Sequence, residues 1–128
     1  MKRGRMLFIS GLFGFLAVSF GAFGAHGLEG VLSSKQLSWW ETATLYLLVH
    51  SVLQYFVSYL VETRSKGFIA KRIRFASYSL LVGNVFFAGS LYTMALTNWS
   101  HLGMVTPFGG LGYLFGWGFL AFAKKPSK

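Results

Sequence analysis

The chain contains no cysteine. That absence excludes disulfide exchange, thiolate metal sites, iron–sulfur ligation, c-type haem attachment and lipoprotein anchoring. Four-helix membrane enzymes of quinone-coupled disulfide chemistry are excluded with them. Charge is scarce as well: Asp, Glu, Lys and Arg make up 12% of the 128 residues, against about a quarter in a soluble domain. No Ser–His–Asp arrangement, phosphate loop or dinucleotide fingerprint stands out. No pair among the histidines and glutamates has metal-ligand spacing within one helix.

What fills the chain instead is apolar. Hydrophobic residues make up 54% of it, gathered in four stretches of about twenty residues, each long enough to cross a bilayer. Helices are predicted over residues 6–25, 34–61, 75–96 and 103–123, in one integral membrane domain spanning 1–128. The net charge is +9, and eleven of the twelve Lys and Arg residues lie in three of the gaps around these stretches. Lys2, Arg3 and Arg5 precede the first; Arg64, Lys66, Lys71, Arg72 and Arg74 separate the second from the third; Lys124, Lys125 and Lys128 follow the fourth. The other two gaps hold only Lys35. This alternation is the positive-inside pattern of an all-α, four-span bundle with both termini cytoplasmic. Because the cations cap apolar runs rather than line one face, the charge points to anionic lipid headgroups and not to nucleic acid. The first stretch exceeds the 7–15 residues of a typical signal-peptide core, so it is expected to be retained.

Spacing refines the helices. Ser10, Gly14, Ala17, Gly21 and Ala25 share one arc of helix 1, the small-residue stripe of close packing in lipid, with Phe8, Leu12, Leu16, Phe20 and Phe23 on the other side. Gly27 is placed for a left-handed C-terminal cap. Ser33 with Gln36 reads as a capping box for helix 2, and Trp39 with Trp40 as an interfacial aromatic belt. Residues 62–74 read as a polar, basic connection and residues 97–101 as a tight turn. Helix 4 has two possible starts: an N-cap at Thr106 with Pro107 at N1, or a start near Leu102 with a kink at Pro107. Gly109, Gly112 and Gly116 form a second small-residue seam.

Polar residues inside the apolar stretches need partners, since lipid offers no water. Thr42, Tyr46, His50, Gln54 and Ser58 recur at steps of four along helix 2, a stripe expected to face the bundle. At 1.5 Å per residue His50 lies about 16 Å deep, and Asn84 of helix 3 comes level with the gap between His50 and Gln54. A hydrogen-bonded cluster of His50, Gln54 and Asn84 is therefore expected, either as packing glue or as a functional midplane site. His26, Glu41 and His101 gather at the other membrane surface, where a carboxylate and imidazoles could hold a metal or relay a proton. The plainer reading of Glu41 is a first-turn carboxylate at the helix dipole.

Several motifs together resemble one family: GAFGAHGL at residues 21–28, Glu41 and Thr42 followed by Tyr46 and His50, GSLY at 89–92, TPFGG at 106–110, and Gly116 with Trp117. In order and spacing these are similar to the small bacterial membrane proteins of domain-of-unknown-function 423. The resemblance implies a four-helix plasma-membrane protein and brings no reaction, substrate or partner. It marks His26, Tyr46, His50, Tyr92, Thr106 and Pro107 for testing. Leu45 and Leu47 depart from the charged residue and the glutamine often found around the motif tyrosine, which removes any charged relay there. The expectation is an uncharacterised multi-pass protein, non-enzymatic, structural or accessory to the envelope. It would bind no cofactor or metal, and its partners would be lipids, other membrane proteins or itself. The rival is a small oligomeric transporter or channel with its polar site around His50, Gln54 and Asn84. A haem between two copies of His50 would require a dimer.

Overall fold

The computed structural model describes residues 4–63 and 67–123. Among these, all regular structure is helical. Helix α1 spans Arg5–His26, α2 Ser34–Thr63, and α3 Phe68–Thr97, with its middle turn, Asn84–Ala88, wound as a π-helix. A 3₁₀ turn over Ser100–Met104 leads into α4, Thr106–Ala121. The first three helices are long and apolar enough to cross a membrane. Helix α4, sixteen residues long, extends about 24 Å. Lys2, Arg3, Arg64, Lys66, Lys124, Lys125 and Lys128 lie outside the described residues.

Each helix end follows from a few side chains. The capping box forms as its sequence dictates: Ser33 N–H donates to Gln36 Oε1 at 3.0 Å, and Gln36 N–H to Ser33 Oγ at 3.2 Å. Gln36 also donates from Nε2 to the Ala95 carbonyl at 2.8 Å, tying the start of α2 to the end of α3. At the opposite end the Gly4 N–H donates to Glu62 Oε1, so the start of α1 rests on the end of α2. Gly27 does not take the expected left-handed turn: its φ is −98°, and Gly30, at +78°, turns the chain instead.

Helix α3 begins seven residues before the expected position, so the presumed connection at 68–74 is helix. Its cations hid an amphipathic face: Ala70, Ile73, Ala76 and Ser77 are buried at helical spacing, while Lys71 and Arg74 are exposed. Arg72 lays its guanidinium 4.5 Å from the centroid of the Phe68 ring. Helix α4 takes the shorter of its two starts, at Thr106 rather than 103, because the 3₁₀ turn occupies the preceding residues. No side chain caps it; Thr106 bonds elsewhere. The expected tight turn at 97–101 is longer, passing through left-handed Asn98, at φ 54°, into that 3₁₀ turn.

Helices α2 and α3 form the centre, with α1 packed on α2 and α4 packed on α3. Neighbours run antiparallel, which sets Arg5, Glu62, Lys71 and the last turn of α4 at one end, and His26, Ser34, Thr97 and His101 at the other. The outside carries Phe8, Phe15, Val52, Phe56, Phe108 and Leu114, all mostly exposed. Such a surface suits lipid as solvent.

Inside, apolar clusters occupy the two ends. Ala17, Trp40, Ala43, Leu47, Leu91 and Tyr92 belong to the one nearer His26; Val57, Ile73, Ala76 and Leu80 to the one nearer Arg5. Two residues assigned to the surface are part of the first cluster. Trp40 is only 4% exposed and donates its indole N–H to the Phe20 carbonyl at 2.7 Å, so it is a core residue and not a belt residue. Phe20 turns inward to meet Trp40 and Tyr92 edge-on, at centroid distances of 5.5 and 5.0 Å. The buried line of α1 is Ser10, Ala17 and Gly24, at intervals of seven, and Ala25 is exposed.

Candidate functional site

Between the apolar clusters lies a polar layer. Asn84 sits in the first position of the π-turn and is 2% exposed. Its Nδ2 donates to Gln54 Oε1 at 2.7 Å, and its Oδ1 accepts the hydroxyl of Tyr113 at 3.0 Å. Gln54 is fully buried, and its Nε2 has no partner among the described residues. The bonds thus run in one direction, Tyr113 to Asn84 to Gln54, and end on a donor with nothing to receive it. One turn below, Ser58 and Ser77 pair at 3.1 Å.

His50 takes no part in that chain, contrary to the expected three-membered cluster. Its depth is right, but Tyr113 fills the space between it and Asn84. The Tyr113 ring lies flat against the imidazole, with centroids 3.7 Å apart and planes within 18°. His50 finds other partners. The Trp117 indole N–H donates to Nε2 at 3.1 Å, and since an indole can only donate, Nε2 is the bare nitrogen. The proton is therefore on Nδ1, which donates to the Tyr46 carbonyl at 2.8 Å. Two neighbours fix one neutral tautomer, and both ring nitrogens are engaged.

The α2 stripe turns inward only in part. His50, Gln54 and Ser58 are buried, Thr42 is half-buried, and Tyr46 is 40% exposed. Tyr46 stands at the mouth of a groove between α2 and α4, of about 600 Å³, with His50 and Phe87 on its floor and Leu114 and Trp117 on the far side.

Helix α4 reaches this position through its glycines. A Cβ on Gly109 would strike the backbone of Phe87, one on Gly112 would lie 2.8 Å from the Gly83 nitrogen, and one on Gly116 2.8 Å from the Leu80 side chain. Backbone meets backbone here, as small residues permit in lipid. Tyr113 lies one turn after Gly109 and Trp117 one turn after Tyr113, beside the glycine face, so the close approach delivers them to Asn84 and His50.

Over residues 20–110 the chain matches the family described as "Protein of unknown function (DUF423)". A UPF0382 membrane protein of Staphylococcus epidermidis is 45% identical over 102 residues, covering 80% of each chain. Another from Haemophilus influenzae is 36% identical across 98% of both. The UPF0382 inner membrane protein YgdD of Escherichia coli is 33% identical over 88% of this chain and 82% of its own. The chain belongs to the DUF423 family. No solved structure matches it.

The other motif residues of this DUF423 member take mainly bonding roles between helices. Tyr92 shares a 2.7 Å hydrogen bond with Thr44 and packs edge-on against Trp40. Thr106 shares one of 2.7 Å with Ser90, pinning the start of α4 to α3. Pro107 follows at the helix start, where no N–H is needed. His26, Glu41 and His101 are exposed, and no group of three His, Asp or Glu residues able to hold a metal forms among the described residues. The His101 ring lies instead 6.4 Å from that of Trp99.

Sequence reading passed over Tyr113, Trp117, Thr44 and Ser90 as site members. The missed signal was positional: Tyr113 and Trp117 are four apart, on the flank of a glycine face. A bulky polar ring beside a close-packing stripe must go into the core or out to lipid.

Proposed function

We propose that this DUF423 member is a four-span protein of the bacterial plasma membrane, with both termini cytoplasmic, acting without catalysis as a structural or accessory component of the envelope. The observation that carries this reading is the polar layer: its side chains bond mostly to one another across helices, as glue does, rather than converging on open space. The cation-bearing helix starts at Arg5, Lys71, Arg72 and Arg74 share one end of the bundle, the arrangement that the positive-inside rule places in the cytoplasm. They also suit anionic headgroups there. Helix α4 serves as the fourth span, its about 24 Å reaching across the hydrocarbon core with slight local thinning. The name of the Escherichia coli relative supports the inner membrane as the location. Short connections leave little surface for soluble partners, so the partners are other membrane proteins or a second copy.

Crosslinking followed by native electrophoresis and co-purification tests this. A discrete, reproducible complex is expected, and an inert monomer in native membranes would refute it. Labelling should place the segment around Lys71 and the C-terminus on the same, cytoplasmic side. The unpaired Nε2 of Gln54 favours a second reading, an oligomeric transporter whose cargo offers an acceptor at the midplane. Flux in proteoliposomes, lost in Gln54→Leu, would promote that reading over the first.

A further inference from the structure

The geometry points to a ligand site in the groove between α2 and α4, for a neutral, bilayer-dissolved molecule with a planar ring that carries a carbonyl acceptor, the p-quinone class. The first reason is an unmet hydrogen bond. Tyr46 bonds His50 through its backbone carbonyl, while its hydroxyl has no partner among the described residues. Tyr46 lies about 4 Å along the axis from the midpoint of α2. Tyr55 and Tyr59, also exposed, lie about 10 and 16 Å from it, within reach of headgroups and water. A mid-membrane hydroxyl has neither, and needs an acceptor that comes through lipid.

The second reason is the walls. Tyr46, His50 and Tyr113 stand nearly parallel, with interplanar angles of 7° between Tyr46 and His50 and 25° between Tyr46 and Tyr113. Trp117 closes the far side. Flat rings select a flat ring. The third is charge: among the described residues no ionised side chain lines the groove, and the His50 tautomer is neutral, so the ligand is neutral. Leu114 and Pro107, which line the groove, are exposed on the outer surface, which suits an apolar tail trailing into the bilayer. Its volume of about 600 Å³ falls in the range of small-molecule sites. The neighbouring lipid-facing groove lined by Ser79, Val82, Phe86 and Phe115 carries a serine hydroxyl but no stack of rings.

Binding of a naphthoquinone with one isoprene unit, measured on the full chain in lipid nanodiscs against empty discs, tests this site. Saturable binding of one molecule per chain is expected. Tyr46→Phe, which keeps the ring, should weaken it about five-fold, the worth of one hydrogen bond. Leu114→Trp should abolish it by filling the groove, and Tyr55→Phe should leave it unchanged. Partition equal to that into empty discs would overturn the proposal. So would wild-type affinity in both Tyr46→Phe and Leu114→Trp, or equal binding of squalene, which has tail but neither ring nor acceptor. These readouts do not depend on whether a membrane complex is found.

Discussion

Helices α1 and α4 flank the bundle from opposite sides, and both carry small residues toward a central partner. In sequence the two seams look alike. In space they differ. On α1 a Cβ at Gly14 would stand 3.5 Å from Ser51 Oγ, and one at Gly21 3.2 Å from a Thr44 methyl, so side chains fill the interface. On α4 the added atoms at Gly109 and Gly112 would run into main chain. A stripe of small residues therefore says that helices meet, and not how closely. The closer seam goes with the shorter helix: α4 is short and apolar, and it must present Tyr113 and Trp117 to the polar layer.

Replacing Gly109 by Ala should break the comparison most. The new methyl meets the Phe87 backbone inside the π-turn, which cannot move without disturbing Asn84, three residues earlier in the same turn. A loss of about 3 kcal/mol is expected, at the upper end of overpacking costs. Reversible unfolding of the detergent-solubilised protein by SDS measures it. A loss below about 1 kcal/mol, the lower end of overpacking costs, would mean that the seam is compliant and the contrast with α1 illusory.

The next largest effect belongs to α1, at the one glycine where its seam is tight. A Cβ on Gly24 would overlap the Trp40 indole, the ring that donates to the Phe20 carbonyl. Because the obstacle is a side chain, the indole can swing away and give up its hydrogen bond. Gly24→Ala should cost about 1–2 kcal/mol and red-shift tryptophan emission as the ring meets a more polar surface. Unchanged emission would show that Trp40 holds its place and the backbone yields.

How far the sequence disclosed this arrangement depends on the range of each cause. The capping box at Ser33 is local, four residues with their own geometry, and was legible. The glycine seam of α4 was legible as periodicity, since 109, 112 and 116 share a face whatever lies opposite. The meeting of Gln54 with Asn84 followed from depth alone, because antiparallel helices of known rise bring residues level. Depth does not fix rotation, which is why His50 was assigned to the same cluster when Tyr113 lies between. The start of α3 was obscured by lysines and arginines that mimic a loop while Ala70 and Ile73 keep the helical period. The π-turn left no mark: one extra residue in a turn alters no composition and no period over five positions. Its effect appears only where Asn84 reaches two partners on different helices.

Tyr113→Phe sharpens the role of that turn. The substitution keeps the ring against His50 and removes only the donor to Asn84 Oδ1. Membrane hydrogen bonds average about 0.6 kcal/mol and reach about 1.7; with Asn84 fully enclosed, about 1 kcal/mol is expected. A double-mutant cycle with Asn84→Leu should show coupling of similar size. Additive losses would indicate that Asn84 answers to Gln54 alone.

The smallest effect is expected at Gly14, and it tests the comparison from the other side. An alanine methyl there meets Ser51 Oγ at ordinary van der Waals distance, so nothing has to move. Ser51 already donates to the Leu48 carbonyl at 2.9 Å, and a methyl at 3.5 Å does not compete for that proton. Against this neutral contact stands the gain of replacing a helix-interior glycine, up to about 1 kcal/mol in water, and less in lipid, where the α1 backbone is bonded with or without it. Gly14→Ala should therefore change stability by less than about 0.5 kcal/mol, within the range of an uncoupled substitution. A loss approaching that of Gly109→Ala would mean that α1 also packs by backbone, and that the two flanking helices are held in the same way.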